Sequence, residues 1–243
     1  MPEGPSIQIL KEEVEQFSGH KIIAVSGNSA IDLQRLQDQT IRSFKTWGKH
    51  FLICFDDFTV KIHLLMFGTY RINERKETTP RLSMLFSNGE LNFYTCSIKF
   101  LEGDINLHYN WSEDVMNENW DPENAKRNLE KIPKEMICDA LLDQNIFSGV
   151  GNIIKNEVLY RCYIHPESLV GKIPSAKIDE IIDESSIYSF QFLDWKKKFE
   201  LKKQWLAHTK KVCLRCDLPL HKKYTGKKKR RSFFCTNCQN LYE

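Results

Sequence analysis

The order in which hydrophobic periodicity changes along this chain predicts a multidomain α+β protein. An antiparallel β-sandwich led by one helix comes first, then a helical domain, then a small metal-stapled β-hairpin. Three observations carry this expectation. Short β runs separated by turn signals fill residues 21–101. Helical spacing of apolar residues takes over from about 123 to 206. Two Cys-x-x-Cys pairs, 18 residues apart, close the chain. The expected domains are residues 1–118, 119–206 and 207–243.

The first element is an amphipathic helix over residues 6–17, where Ile7, Leu10, Val14 and Phe17 share one face. The strand candidates follow as Lys21–Val25, Thr40–Thr46, Phe51–Phe55, Phe58–Ile62, Thr69–Ile72, Leu82–Phe86 and Leu91–Thr95. Asp56-Asp57 and Asn88-Gly89 mark turns between neighbours. Many short strands with few helices favour a sandwich or barrel. Residues 104–124 are polar and aperiodic and read as a link. Beyond them, Ile178, Ile181 and Ile182 form an ordinary core stripe. Gly226 inside the basic run 222–231 reads as the tip of a hairpin.

The chain has 243 residues, 41% of them hydrophobic, a globular composition. No stretch is apolar enough to span a membrane, and the first residues lack a secretory pattern. The expectation is a cytoplasmic protein, nuclear if the source is eukaryotic. Net charge is only +3, but residues 196–243 hold 15 Lys/Arg against three acids, Glu200, Asp217 and Glu243. Such a basic end on an acidic body fits a polyanion, most simply nucleic acid, or else a solvated basic tail.

Eight cysteines divide into two sets. Cys54, Cys96, Cys138 and Cys162 lie among apolar residues and read as buried thiols. Cys213, Cys216, Cys235 and Cys238 have the spacing of a tetrahedral four-cysteine zinc site. Four protein ligands leave no open position, so one zinc ion there would be structural and would hold residues 227–231 in place. The last 35 or so residues have too little apolar material to fold without such a staple.

Four further segments carry chemistry. Removal of Met1 would give Pro2 a free secondary amine that titrates near roughly pH 8 and is partly nucleophilic at neutral pH. Glu3, an acid/base group, follows directly. Gly149-Val150-Gly151-Asn152 separates two helical stretches, and Asn152 stands where helix N–H groups favour a phosphate, or where an N-cap is needed. Leu65-Met66-Phe67, after His63-Leu64 and before Gly68, is either buried core or an exposed wedge for a base stack. Lys49 lies in Trp47-Gly48-Lys49-His50, and alone reads as a solvated charge.

Taken together and in order, these segments resemble the formamidopyrimidine-DNA glycosylase/endonuclease VIII family over nearly the whole chain. The resemblance rests on Pro2-Glu3-Gly4-Pro5, Gly48-Lys49, His63 to Gly68, Leu142-Asp143-Gln144 with Gly149 to Asn152, Ile164-His165-Pro166, and Arg230 followed by Cys235-x-x-Cys238-Gln239. It implies an N-terminal antiparallel β-sandwich with an N-terminal helix, a helix–two-turn–helix domain and a C-terminal zinc-finger β-hairpin, with DNA in the cleft between domains. It further implies a bifunctional glycosylase/AP lyase of base excision repair. In that enzyme Pro2 attacks C1′, Glu3 moves protons at the sugar, and Lys49 binds phosphate and assists catalysis. Asn152 and Arg230 clamp the flanking phosphates, and Leu65, Met66 and Phe67 fill the stack left by the flipped base. The implied partner is damaged DNA, bound by a monomer with one structural zinc, no small-molecule cofactor and no membrane.

Gly4-Pro5 and Tyr94 to Lys99 resemble the endonuclease VIII side, as does the short link before the finger, so oxidised pyrimidines are the expected substrates. Oxidised purines remain an alternative. Most bacterial members carry a second glutamate where this chain has Ser6. That departure raises the alternative of a weakly catalytic or non-catalytic binder of damaged or abasic DNA.

Overall fold

The computed structural model describes residues 2–243. They form two compact units, one ending at Asn110 and the other spanning Trp111–Glu243.

The first unit opens with helix α1, Gly4–Val14, with Pro5 in its first turn, where a missing N–H costs nothing. The helix tightens into a single 3-10 turn over Glu15–Phe17. Its face is the expected one, for Ile7, Leu10, Val14 and Phe17 are all fully buried. Eight strands follow: β1 Ala24–Ser26, β2 Ser43–Trp47, β3 His50–Cys54, β4 Phe58–His63, β5 Thr69–Ile72, β6 Leu82–Phe86, β7 Gly89–Tyr94 and β8 Ser97–Glu102. They make two four-stranded antiparallel sheets, ordered β1-β6-β7-β5 and β2-β3-β4-β8. Strand alternation sends Phe51, Ile53, Val60 and Ile62 from one sheet and Leu82, Met84, Leu91 and Phe93 from the other into one core. Phe51 and Phe93 meet with ring centroids 5.8 Å apart, so the sheets are stacked face to face.

Two expectations change. The run Lys21–Val25 is extended mainly at its end, with a single bridge from Lys21 to Thr40 before β1 begins at Ala24. Strand β8 was not expected at all. It alternates correctly, with Ile98 inward, but pairs with β4, and such a distant partner has no local turn signal. The polar link is also more ordered than its composition suggests. Asp104, Asp114, Asn117 and Asp121 each accept a backbone N–H two or three residues on, which pins successive turns.

The second unit holds α2 Pro122–Glu130, α3 Ile137–Ala140, α4 Asn152–Arg161 and α5 Ser175–Lys197, then strands β9 His221–Thr225 and β10 Arg230–Phe234. Ile178, Ile181 and Ile182 of α5 pack with Leu141, Phe147, Val150, Ile154 and Val158 in its core. Strands β9 and β10 form the predicted hairpin, with Gly226 at its tip at φ +68°. Cys54, Cys96, Cys138 and Cys162 are buried and unpaired, as expected.

Candidate functional site

In the first unit, Glu3 is the N-cap residue of α1. Its backbone carbonyl accepts from Ser6 N–H at 2.8 Å, but its side chain does not cap the helix. Only 1% of Glu3 is exposed, so the side chain lies inside the unit. It sits at the positive end of the helix dipole, which favours its charge. Pro2 precedes it and is half-buried. Met1, whose removal would free the Pro2 amine, lies outside the described residues. Ser6 is buried one turn on, and a hydroxyl there supplies no negative charge.

Helix α1 packs on β2 and β3, and Thr46 Oγ1 donates to Gln8 Oε1 at 3.1 Å across that contact. Gly48 and Lys49 form the two-residue turn joining these strands. Gly48 takes φ +51°, a conformation that glycine adopts without strain. Lys49 is half-buried in this turn, beside a cluster of positive and imidazole groups. His50 pairs across the sheet with His63, and Tyr109 OH lies 3.2 Å from His50 Nδ1. Burial, helped by Lys61, His63 and Lys49, pushes the His50 pKa down to about 4. Burial and the same lysines lower His63, while burial and Lys99 lower Lys61. Burial is the largest cause at all three groups, and the neighbouring positive charges add to it. Sequence reading used His63 only as the start of a loop and did not single out His50.

That loop joins β4 to β5. Leu64 is buried, whereas Leu65, Met66 and Phe67 are 47, 51 and 77% exposed. Gly68 N–H closes the turn onto Leu64 O at 2.7 Å, and a Cβ on Gly68 would lie 2.1 Å from that oxygen. The tight closure is what holds three apolar side chains out in water. Of the two readings open to the sequence, the exposed one matches this geometry.

In the second unit, Gln144 secures the glycine turn before α4. Its amide donates to Leu142 O and Val150 O and accepts from Gly149 N–H at 3.2 Å. Gly151 is the N-cap and Asn152 the first helical residue, so Asn152 is not the cap. Its amide instead donates to Arg231 O at 3.0 Å. This brings Asn152 beside Arg230, the first residue of β10. The bond thus ties Asn152 to the backbone one residue beyond Arg230.

Three polar residues of α4 that periodicity would place outside are buried. Lys155 donates to Ser232 Oγ at 2.8 Å, and Asn156 Oδ1 accepts from Phe233 N–H at 3.1 Å. Glu157 accepts from the backbone N–H groups of Leu206, Ala207 and His208 at 2.7–3.0 Å. Burial raises the Glu157 pKa, and these three N–H groups oppose the rise. Strand β10 and the segment entering the finger are therefore fixed to one helix.

The four finger cysteines bring their sulfurs within 4.8 Å of one another. Cys213 Sγ to Cys238 Sγ is 3.9 Å and Cys216 Sγ to Cys235 Sγ is 3.5 Å. A tetrahedron with metal–sulfur bonds of about 2.3 Å has edges of roughly 3.8 Å, so these residues fit a metal ion, whereas a disulfide needs about 2 Å. Burial disfavours the Cys213 thiolate, but the Tyr160 hydroxyl at 3.2 Å and nearby backbone N–H groups overcome it and bring its pKa down to about 6. Cys238 is pushed up to about 12, chiefly by hydrogen bonding with Cys216. Only a cation lets all four ionise together. Gln239 joins finger to helices, accepting from Cys235 N–H and donating to Ile164 O.

Comparison with known proteins agrees with this architecture. Residues 1–100 match the model of the Formamidopyrimidine-DNA glycosylase N-terminal domain, and residues 112–187 match that of the Formamidopyrimidine-DNA glycosylase H2TH domain. Formamidopyrimidine-DNA glycosylase of Lactococcus lactis subsp. cremoris is 29% identical, covering 98% of this chain and 99% of its own. Endonuclease 8-like 3 of Xenopus laevis is 27% identical over 90% of this chain, which spans only 38% of that longer protein. The solved structure of Lactococcus lactis formamidopyrimidine DNA glycosylase, non-covalently bound to DNA containing an AP site, shares the fold. Its TM-score is 0.86 at 24% identity, with 98% of this chain and 99% of that one covered. Relatives from both branches match at similar identity. Two adjoining domain models, together covering about seven-tenths of the residues, and the two-sheet, helix and four-cysteine architecture lead to one conclusion: the chain belongs to the formamidopyrimidine-DNA glycosylase family.

Proposed function

We propose that this chain is a base-excision-repair DNA glycosylase with AP lyase activity, acting on oxidised bases, pyrimidines foremost. The observation that carries the reading is Pro2 leading directly into a buried Glu3 at the positive end of α1. With Met1 removed, the neutral Pro2 nitrogen attacks C1′ of the damaged nucleotide as the C1′–base bond breaks and its electron pair leaves with the base. The Glu3 carboxylate takes the proton from the alkylated nitrogen and delivers it to O4′ as the C1′–O4′ bond opens, leaving an iminium between Pro2 and C1′. The resulting iminium acidifies the C2′ proton. Loss of that proton expels the 3′ phosphate, so one amine accounts for base removal and strand nicking.

The other residues serve this step. Lys49, with His50 and His63 near it, binds a phosphate beside the lesion and stabilises the charge that develops there. Leu65, Met66 and Phe67 enter the duplex, since C1′ is reached only after the nucleotide leaves the stack. Asn152 and Arg230 hold flanking phosphates. Zinc at Cys213, Cys216, Cys235 and Cys238 supplies rigidity, not reactivity, because the four thiolates leave it no open position. The preference for pyrimidines rests on Gly4-Pro5 and the Tyr94 to Lys99 segment. DNA is the partner, and the cytoplasm or nucleoid is the setting.

Incision assays on duplexes holding one oxidised pyrimidine, one oxidised purine or one abasic site test the reading. Wild-type protein is expected to excise the pyrimidine fastest and to nick the abasic duplex. Glu3→Gln should keep duplex binding and lose at least about 100-fold in excision of the intact damaged base, the scale of a lost general acid. Full excision by Glu3→Gln would remove Glu3 from the chemistry. Ser6 favours one second reading, a binder of damaged DNA without turnover. Tight binding of every duplex with incision of none would select it.

A further inference from the structure

We propose that Asp139 is a positioning residue for DNA binding, holding the tip of the β9–β10 hairpin so that Arg230 meets phosphate in one orientation. The inference rests on the DNA-binding reading above and adds a residue that sequence analysis did not mark.

Four successive residues of the tip are gripped by α3. Asp139 Oδ2 accepts from Lys227 N–H at 2.6 Å and Oδ1 from Lys228 N–H at 3.1 Å. Gly226 lies so close that a Cβ there would stand 2.3 Å from Asp139 Oδ2. On the other side of the glycine, Thr225 hydrogen-bonds the Cys138 thiol. Asp139 is only 7% exposed, and the same helix turn buries Ile137, Cys138 and Ala140 in the core. The carboxylate is thus fixed to the rigid part of the unit.

The tip needs such a hold. It carries Lys227, Lys228, Lys229 and Arg230 in succession, four like charges that repel. Gly226 at φ +68° and Lys229 at φ +45° both occupy the left-handed region, where a lysine does not settle unaided. Lys227 Nζ also pairs with Glu135 Oε1 at 2.5 Å, so the first lysine of the run is drawn back to the helices. Arg230 follows directly, paired with Thr225 across the hairpin. A carboxylate that organises backbone N–H groups next to an arginine sets where that arginine points.

Electrostatics and positioning predict opposite signs, which makes the idea testable. An acid beside a phosphate-binding strand opposes DNA through its charge, so its removal alone would tighten binding. If it positions Arg230, its removal weakens binding. Affinity for a duplex containing an abasic-site analogue is measured over a salt series for wild type, Asp139→Ala, Asp139→Asn, Arg230→Ala and the Asp139→Ala/Arg230→Ala double variant. Zinc content and thermal midpoint are followed alongside. Asp139→Ala should weaken binding about tenfold with zinc retained, and Asp139→Asn, which keeps an acceptor oxygen, should recover part of it. In the Arg230→Ala background, Asp139→Ala should add little, because the two act through one contact. Gly226→Ala attacks the same contact without changing charge and should weaken binding too. Tighter or unchanged binding by Asp139→Ala, or losses that simply add in the double variant, overturns the proposal. If Asp139→Ala loses zinc, the Gly226→Ala result decides, and unaltered binding there overturns it. A wild-type protein that binds no abasic duplex overturns the DNA reading itself, whereas wild-type binding that Arg230→Ala weakens and Asp139→Ala does not sinks only this inference.

Discussion

His50 sits between the Lys49 turn and His63, and its pKa of about 4 leaves it neutral through the physiological range. In the unfolded chain it titrates near roughly 6.5. Between those values the unfolded state binds the extra proton, so folding stability falls as pH drops from about 6.5 towards 4. The contribution is on the order of 2 kcal/mol, allowing for partial exposure. Urea unfolding at pH 7.5 and pH 5.0 should show rather more than half of this loss, and His50→Gln should flatten part of it. His63, His165 and His208, which burial also lowers, contribute in the same direction. At this scale the sequence was legible where a residue type is rare in its setting. An amine-acid start, a lysine after a glycine and apolar residues before a glycine all stand out in one dimension. Asp139, Lys155 and Glu157 do not, because each is defined by a partner 49 to 89 positions away.

Helix α4 is where periodicity misleads. Lys155, Asn156 and Glu157 are consecutive and all buried, although a helix with one wet face would expose at least one of them. The helix is enclosed by α5 and β10, and its polar side chains replace the backbone partners that loops and a strand edge would otherwise lack. Glu157→Ala should therefore cost about 3 kcal/mol in unfolding free energy, since it strands three N–H groups, and Glu157→Gln should cost less. Calorimetry on both variants checks this. The finger behaves differently. Strand β9 is mostly exposed, whereas Ser232, Phe233 and Phe234 of β10 are buried, so the four sulfurs supply cohesion on the side of the finger that packing does not cover. Elemental analysis should find one zinc per chain, and chelation should abolish duplex binding while α1 and the sandwich stay folded. The Cys-x-x-Cys spacing announced this element from sequence because a metal site fixes its ligands locally in pairs. Strand β8 was silent because its partner β4 lies far back in the chain.

Across the whole molecule, charge is distributed unevenly. The net charge is +3, yet the basic residues concentrate at the C-terminal end, while Lys49, Lys61 and Lys99 gather near the two histidines of the sandwich. Each unit thus gathers positive charge, and Pro2 and Glu3 belong to the first. The proposed chemistry turns on one atom, the nitrogen of Pro2. Full-length protein is incubated with an abasic-site duplex and borohydride, and the covalent adduct is digested and mapped by mass spectrometry. The expected product is a protein lacking Met1 with reduced sugar attached to Pro2. An adduct on Lys49 or any other lysine, or no adduct from protein that binds the duplex and has lost Met1, would contradict it.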